Sequence, residues 1–270
     1  MWGSLFTLTL RYHYTTARGA LSCLYQTTNL GKGVINVLHQ TEHSEAKRLA
    51  SLALIIFDCD GVLVDSEVLS IDALHRLILA EGGKLTKDEV IAQFQGRSMK
   101  SAKEELFASQ GVALTQVALD AMNVALFARF YQALQPIQGV ADFIKSLTLP
   151  FCVASSSHPE RINVSLDATQ LQAHFAGKVF SSTMVKNGKP APDLFLLAAH
   201  TMGCSADSAL VIEDSPAGIQ AARQAGMLCI GLTAGAHAKH PNHTQKLIDA
   251  GANWVVDSYE DVAKIIKAVR

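Results

Sequence analysis

The hydrophobic pattern of the chain takes two forms from residue 52 onward. Short continuous apolar runs alternate with longer stretches in which apolar residues recur at helical spacing. A short run of this kind is typical of a strand buried on both faces of a parallel sheet. The predicted strands begin at Leu54, Phe151, Lys178, Ala209, Met227 and Trp254. Because helical segments separate most of these strands, the pattern predicts an α/β fold with a doubly wound parallel sheet.

Residues 68–137 follow the first predicted strand and have helical patterning alone. The pattern predicts four helices, and the second begins with a capping-box signature formed by Thr86 and Glu89. We therefore expect an inserted helical cap domain that covers the functional site. The core domain is then discontinuous and consists of residues 52–67 and 138–270.

The first 51 residues differ in composition from the rest of the chain. They are rich in Ser, Thr and Leu and contain no acidic residue before Glu42. Such a composition occurs in organelle transit peptides, so import into an organelle is an open alternative. We expect residues 1–51 to be a poorly ordered N-terminal extension.

Composition and charge restrict the class of protein. Hydrophobic residues make up 49% and charged residues 17% of the 270 residues, which is typical of a globular protein. A net charge of −1 favours neither nucleic acid nor an acidic membrane as a partner. We see no uncharged apolar run of the ~18 residues that a membrane span needs. Five scattered cysteines indicate reduced thiols and a cytoplasmic protein, which we expect to be a monomer or a small homo-oligomer.

Two carboxylates, Asp58 and Asp60, come directly after the first predicted strand. Carboxylates this close repel each other and are costly to bury unless a cation and a chemical role accompany them. Ligands of open α/β sheets bind at the carboxyl ends of the strands, which is where this pair lies. One carboxylate can attack phosphorus, and the other can act as a general acid and then as a general base. The pair therefore indicates a metal-dependent catalytic site.

Three further groups of polar residues follow later strands. Ser155 and Ser156 precede a predicted helix, where hydroxyl and free backbone N–H groups can bind a phosphate. Lys189 lies in a turn stiffened by prolines, and its ammonium group can neutralise both a phosphate and a nucleophile. Glu213 and Asp214 supply hard oxygen ligands that, with the first carboxylate of the pair, suit Mg²⁺.

Each group has an ordinary structural explanation when taken alone, as a turn, a loop or a helix cap. Their joint occurrence after successive strands favours a functional site. Arg97, between two predicted cap helices, is the cap residue best placed to bind an anionic substrate, and a solvated surface arginine is an equally good explanation. We interpret His237, His240 and His243 as part of a solvated loop rather than as a transition-metal site.

The motifs resemble those of the haloacid dehalogenase-like hydrolases. The segment 57–67 is similar to the first motif of that family, and Ser155, Lys189 and Glu213-Asp214 match the second, third and fourth motifs. The sequences around the last two motifs are closest to the subgroup with a helical cap after the first motif. That subgroup includes sugar-phosphate phosphatases and β-phosphoglucomutase. The resemblance covers residues 52–257.

The resemblance implies a role for each motif residue. Asp58 would be the nucleophile and Asp60 the acid and base, while Lys189 would be both a catalytic and a phosphate-binding residue. A Mg²⁺ ion would be held by Asp58, the backbone carbonyl of Asp60 and Asp214, with Glu213 as a direct or indirect ligand.

Two differences within the family bear on the reaction. Dehalogenases lack the second carboxylate because a leaving halide needs no proton, so Asp60 argues against dehalogenation. β-Phosphoglucomutase has a His at the position of Ser70, and its absence favours transfer of phosphate to water. We predict a Mg²⁺-dependent phosphatase that hydrolyses a small phosphorylated metabolite, a sugar or polyol phosphate, through an aspartyl-phosphate intermediate. A sugar phosphomutase and a non-catalytic binding protein on the same fold are the alternatives.

Overall fold

Six strands form one parallel sheet in the computed structural model, which describes residues 43–94, 99–239 and 242–267. The strands are β1 (Leu54–Phe57), β2 (Phe151–Ser155), β3 (Val179–Ser181), β4 (Ala209–Glu213), β5 (Leu228–Leu232) and β6 (Trp254–Val256). Their order across the sheet is β3-β2-β1-β4-β5-β6. The order of the strands reverses between β1 and β4, which is where α/β sheets bind ligands. The predicted α/β fold with a doubly wound parallel sheet is confirmed.

The central strand β1 pairs with β2 on one side and with β4 on the other. All four of its residues are buried, as expected for a strand covered on both faces. Phe57 is aligned with Val153 of β2 and with Ile212 of β4, and the Asp58 N–H donates to the Ile212 carbonyl at 2.9 Å. Asp58 therefore emerges between the ends of β2 and β4.

Helices cover both faces of the sheet and also make up the insertion that follows β1. In chain order they are α1 (His43–Ala50), α2 (Glu67–Ala80), α3 (Lys87–Phe94), α4 (Met99–Gln110), α5 (Gln116–Ala133), α6 (Val140–Ser146), α7 (Pro159–Ala168), α8 (Gln172–Phe175), α9 (Asp193–Thr201), α10 (Pro216–Gln224), α11 (His243–Asp249) and α12 (Tyr259–Lys267). Ile55 and Phe57 pack with α6, α7 and α12 on one face, and Leu54 and Ile56 pack with α9 and α10 on the other. Across the described ranges, we find no helix long and apolar enough to cross a membrane.

Helices α2–α5 form the insertion between β1 and α6. They enclose a hydrophobic cluster of their own, which includes the fully buried Ile78, Val90 and Leu106. The predicted capping box at the start of α3 is confirmed, because the Thr86 N–H donates to Glu89 Oε2 at 2.7 Å and the Glu89 N–H donates to Thr86 Oγ1 at 3.3 Å. The insertion is therefore a helical unit with its own core.

Helix α1 corrects the expectation of a poorly ordered extension over residues 1–51. Leu49 is buried in the hydrophobic cluster on one face of the sheet, at 3% exposure. The Arg48 guanidinium donates to the Asp207 carbonyl at 3.3 Å. The structure thus describes an ordered helix, α1, within this segment, and poor order stays a prediction for the rest of it. Residues 1–42 lie outside the described part of the chain.

Candidate active site

Asp58 and Lys189 form a buried ion pair at the end of β1. Lys189 Nζ lies 2.5 Å from Asp58 Oδ1, and it also donates to the Ala154 carbonyl at 3.1 Å and to Glu213 Oε1 at 2.8 Å. Burial raises the pKa of the Asp58 carboxyl well above its usual range, although the Lys189 charge acts against this. Burial would lower the pKa of Lys189, but Asp58 and Glu213 outweigh it and raise that pKa. Lys189 therefore stays charged, and its charge favours the ionised form of Asp58, with which it is paired.

The predicted metal ligands Asp58, Glu213 and Asp214 come together at the ends of β1 and β4. One oxygen atom of each lies within 4.8 Å of the others. Ligands about 2.1 Å from a Mg²⁺ ion in an octahedral site are at most about 4.2 Å apart, so the spacing is close to that of a magnesium site. Burial raises the pKa of Asp214 to about 7, although a hydrogen bond from His237 acts against this. A divalent cation would offset the cost of burying these charges, so the donor set fits Mg²⁺.

A glycine makes room for Asp214. Gly61, in the turn that follows Asp60, has a φ angle of +77°. A Cβ atom at position 61 would lie 1.8 Å from Asp214 Oδ2. The Asp60-Gly61 pair of the first motif thus supplies both a carboxylate and the space for another.

Asp60 is held by three side chains. Ser66 Oγ donates a short hydrogen bond to Oδ1, Ser157 Oγ donates to Oδ2 at 2.7 Å, and Arg161 Nη2 donates to Oδ1 at 2.9 Å. Burial favours the neutral acid, but the Arg161 charge and these hydrogen bonds outweigh it and hold the pKa of Asp60 below its usual value. Asp60 is therefore an ionised carboxylate with both oxygens bound.

The predicted phosphate-binding serines lie at the end of β2. Ser155 is buried, and its Oγ accepts a hydrogen bond from the Ser157 N–H at 3.1 Å. Ser156 is exposed, and its carbonyl accepts a hydrogen bond from Ser182 Oγ at 2.8 Å. Both serines line the same cavity as Asp58. Arg97, the predicted cap contact, lies outside the described residues.

His237 and His243 lie against Asp214, which corrects their interpretation as part of a solvated loop. The His237 side chain is 6% exposed, and its Nε2 lies 2.8 Å from Asp214 Oδ2. His243 Nε2 donates to the Asp214 carbonyl at 2.7 Å. The two imidazoles therefore fix both the carboxylate and the backbone of Asp214, and His240 lies outside the described residues.

A cavity of about 1500 Å³ lies between the strand ends and helices α2–α5. Asp58, Asp60 and Asp214 line it on the side of the sheet. The helical side is lined by apolar and polar residues, among them Ile71, Leu74, Lys103, Leu119, Met122 and Asn123. The insertion thus covers the polar site.

A sequence profile of the haloacid dehalogenase-like hydrolases matches residues 55–232, which include all four motifs at the strand ends. The chain belongs to this family. A relative named 6-phosphogluconate phosphatase, from Escherichia coli (strain K12), is 29% identical over 200 residues that cover 73% of this chain and 90% of the relative.

Two further comparisons cover most of this haloacid dehalogenase-like protein. A relative named Phosphorylated carbohydrates phosphatase, from Thermotoga maritima, is 26% identical over 219 residues, or 80% of this chain and 98% of the relative. The crystal structure of a conserved haloacid dehalogenase-like protein of unknown function from Agrobacterium tumefaciens has a TM-score of 0.70 at 35% identity. It covers 80% of this chain and 98% of that one.

Sequence reasoning missed several partners of Asp60 in this haloacid dehalogenase-like protein. Ser157 and Arg161 follow β2, and they reach Asp60 because β1 and β2 are adjacent parallel strands whose carboxyl ends lie at one edge of the sheet. The motif pattern gave no signal for Arg161, since an arginine in the first turn of a helix is usually solvated. The motifs supplied a single cation, Lys189, for two buried carboxylates, and this imbalance was a reason to look for a second cation.

Proposed function

We propose that this haloacid dehalogenase-like protein is a Mg²⁺-dependent phosphatase of a small phosphorylated metabolite, a sugar or polyol phosphate. The observation that carries the proposal is the ion pair of Asp58 and Lys189, 2.5 Å apart, in which Asp58 is also one of three clustered oxygen donors. A carboxylate at this position can act as a nucleophile on phosphorus. Helices α2–α5, which begin at Glu67 and end at Ala133, would serve as the cap over the core, which the sequence predicts at residues 68–137.

The first step of the proposed reaction transfers the phosphoryl group to Asp58. A carboxylate oxygen forms a bond to phosphorus while the bond from phosphorus to the ester oxygen breaks. Asp60 is a carboxylate in the free site, so it must first take up a proton, for which the monoanion of the phosphate ester is a source. It then gives this proton to the leaving alkoxide, and the products of this step are an alcohol and an aspartyl phosphate.

The second step hydrolyses the intermediate. Asp60, now a carboxylate, takes a proton from a water molecule whose oxygen attacks phosphorus, and the bond to Asp58 breaks. This step needs the ionised form of Asp60, which Arg161 and the neighbouring serines stabilise. The cycle releases inorganic phosphate and restores Asp58.

The charge of the transferring group is balanced by fixed groups of the site. Lys189 and Ser155 would bind the phosphoryl oxygens, and such preorganised donors supply much of the rate enhancement of phosphoryl transfer. Asp58, Asp214 and the Asp60 backbone carbonyl would hold Mg²⁺, with Glu213 as a direct or indirect ligand. When bound, the ion supplies positive charge for the phosphoryl oxygens.

The substrate class is supported by the relatives and by the cavity. Two relatives are named for phosphatase activity on 6-phosphogluconate and on phosphorylated carbohydrates. The cavity, about 1500 Å³, has room for such a molecule between the helical insertion and the strand ends. Cytoplasmic location and a monomeric or small homo-oligomeric state stay predictions from the sequence.

A panel of phosphorylated metabolites, assayed for phosphate release with Mg²⁺ and with EDTA, tests the proposal. We expect release from at least one sugar or polyol phosphate with Mg²⁺ and strong inhibition by EDTA. A sugar 1-phosphate that is converted to its 6-phosphate isomer without free phosphate would instead identify a mutase. No turnover of any phosphate ester, p-nitrophenyl phosphate included, would favour the non-catalytic binding protein.

A further inference from the structure

Arg161 lies at the boundary between the core and the helical insertion. It is the third residue of α7, and its Nη2 donates to Asp60 Oδ1 and to Ser70 Oγ, each at 2.9 Å. Its guanidinium carbon lies 5.4 Å from the centre of the Phe130 ring of α5. The guanidinium is thus held by the first motif, by α2 and by α5.

One edge of this guanidinium has two donors, Nε and Nη2, and only Nη2 makes hydrogen bonds within the described residues. Nε is buried, and no group in the described part of the chain accepts its hydrogen bond. Nε and Nη2 share the edge of an arginine that binds a carboxylate through two parallel hydrogen bonds. Asp60 and Ser70 both accept hydrogen bonds from Nη2, and neither accepts one from Nε. A buried donor without an acceptor is unfavourable, so this edge is suited to a further oxygen ligand.

The proposed reaction brings a leaving group to this edge. Asp60 must contact the ester oxygen in order to give it a proton. Because Arg161 lies 2.9 Å from Asp60 and both line the cavity, the carbon atoms next to that oxygen would lie beside Arg161.

We propose that Arg161 is a specificity residue that selects phosphate esters whose leaving group carries a carboxylate within one or two carbon atoms of the ester carbon, which are phosphorylated hydroxy acids and short sugar acids. This inference rests on the proposed phosphatase function. The substrate carboxylate binds across Nε and Nη2 and replaces Asp60 on Nη2. The exchange keeps the guanidinium paired and frees Asp60 to contact the ester oxygen.

A carboxylate suits this position better than a second phosphate. It replaces the carboxylate of Asp60 with a group of the same shape and charge. A phosphate dianion would add one more negative charge than a carboxylate beside Asp60 and Glu67, which line the same cavity. The inference therefore predicts a preference for sugar acid phosphates over sugar bisphosphates.

Two pairs of substrates that differ only in a carboxylate test the inference. They are 3-phosphoglycerate with glycerol 3-phosphate, and phosphoglycolate with 2-hydroxyethyl phosphate. For at least one pair we expect wild-type kcat/KM to favour the acid at least about tenfold. Arg161→Met should reduce this ratio to about one, and Arg161→Lys should keep part of it. The ratio within a pair does not move when a variant merely slows all substrates.

Arg76→Met is the matched control, because Arg76 is an exposed arginine of α2 whose side chain is 69% exposed. It should keep the wild-type ratio. A wild-type ratio near one for both pairs, or a ratio unchanged in a folded Arg161→Met variant, would overturn the inference. Faster turnover of fructose 1,6-bisphosphate than of either acid would do the same.

Failure of the proposed function looks different from failure of this inference. In the first case the wild-type protein hydrolyses neither p-nitrophenyl phosphate nor any of the esters. In the second it hydrolyses them without preferring an acid. If Arg161→Met does not fold, as judged by thermal melting, Arg161→Lys and the wild-type ratio decide the question.

Discussion

Gly218, in the first turn of α10, lies directly against the side chain of Glu213. A Cβ atom at position 218 would be 1.7 Å from Glu213 Oε1, the oxygen that accepts the hydrogen bond from Lys189. The other oxygen accepts a hydrogen bond from Ser215 Oγ at 2.9 Å, and Ser215 Oγ in turn accepts one from the Gly218 N–H at 3.1 Å. The missing side chain at position 218 therefore helps to fix Glu213 and, through it, Lys189.

Gly218→Ala should displace Glu213 and disturb its contact with Lys189. A Gly to Ala change inside a helix normally stabilises it by about 0.5–1 kcal/mol, so a loss of stability here would run against the trend. We expect a lower melting temperature and a fall in kcat/KM of about 100-fold, or about 2.7 kcal/mol.

Gly188→Ala is the control for Gly218→Ala. Its Cβ would make an ordinary contact with Ser182 Cβ at 3.7 Å. We expect its kcat/KM to stay within about threefold of the wild type. If Gly218→Ala behaves like this control, Glu213 does not depend on the space that Gly218 leaves.

Tyr259 connects the last described helix to the turn within the first motif. Its Oη donates to the Val62 carbonyl at 2.8 Å, and burial raises the pKa of Tyr259 well above its usual value, so the hydroxyl remains a donor. Tyr259→Phe leaves that carbonyl without this partner, and we expect a loss of about 1–3 kcal/mol in the free energy of unfolding. Tyr131→Phe removes an exposed hydrogen bond to Asp167 and should cost less than about 0.5 kcal/mol. Equal losses in urea unfolding would contradict the role of Tyr259.

Asp214 should make the metal-free protein less stable as pH rises. Burial raises the pKa of its carboxyl in the folded state from 3.8 to about 7, so the folded state binds this proton more tightly than the unfolded state. The contribution of Asp214 to stability is therefore full below pH 3.8 and is lost as pH rises to about 7. The Asp214→Asn side chain cannot ionise. Without Mg²⁺ at pH 8 we therefore expect the free energy of unfolding of this variant to exceed that of the wild type by roughly 2–4 kcal/mol.

Urea unfolding of wild-type and Asp214→Asn protein in EDTA, from about pH 4 to pH 8, measures this difference. The difference should shrink toward zero as pH falls. Added Mg²⁺ should stabilise the wild type more than the variant, because binding to the folded state raises its stability. A difference that is independent of pH would contradict the raised pKa.

Helix α1 should contribute to the stability of the core. Leu49→Ala removes a side chain that is 3% exposed, and we expect a loss of about 2–4 kcal/mol in the free energy of unfolding. Val117→Ala, at a position that is 79% exposed, should change it by less than about 0.5 kcal/mol. A loss for Leu49→Ala as small as that of the control would show that α1 does not stabilise the core.

The sequence predicted those features that depend on local patterns. The apolar runs predicted the six strands of the sheet, since fully buried strands read as continuous hydrophobic segments. Asp58, Ser155 and Glu213 could be predicted to lie together because each follows or ends such a strand, and parallel strands end at one edge. Lys189 was recognisable from its stiff turn and from the family motif.

Contacts between distant segments could not be predicted in this way. Arg161 and Asp60 are far apart in sequence, and their contact at 2.9 Å depends on how α7 leaves β2. His237 becomes 6% exposed because it packs on Asp214, which periodicity does not reveal. Helix α1 was missed because its sequence is mostly polar, and a single buried side chain, Leu49, gives little periodic signal.

The central claim is that Asp58 is the nucleophile of a phosphatase. Its most direct test is turnover of p-nitrophenyl phosphate with Mg²⁺ by the wild type, by Asp58→Asn and by the control Asp142→Asn, whose side chain is 93% exposed. We expect Asp58→Asn to lose activity by at least about 1000-fold, because an amide cannot replace the attacking carboxylate, and Asp142→Asn to keep it. A folded Asp58→Asn variant with turnover within about tenfold of the wild type would contradict the assignment.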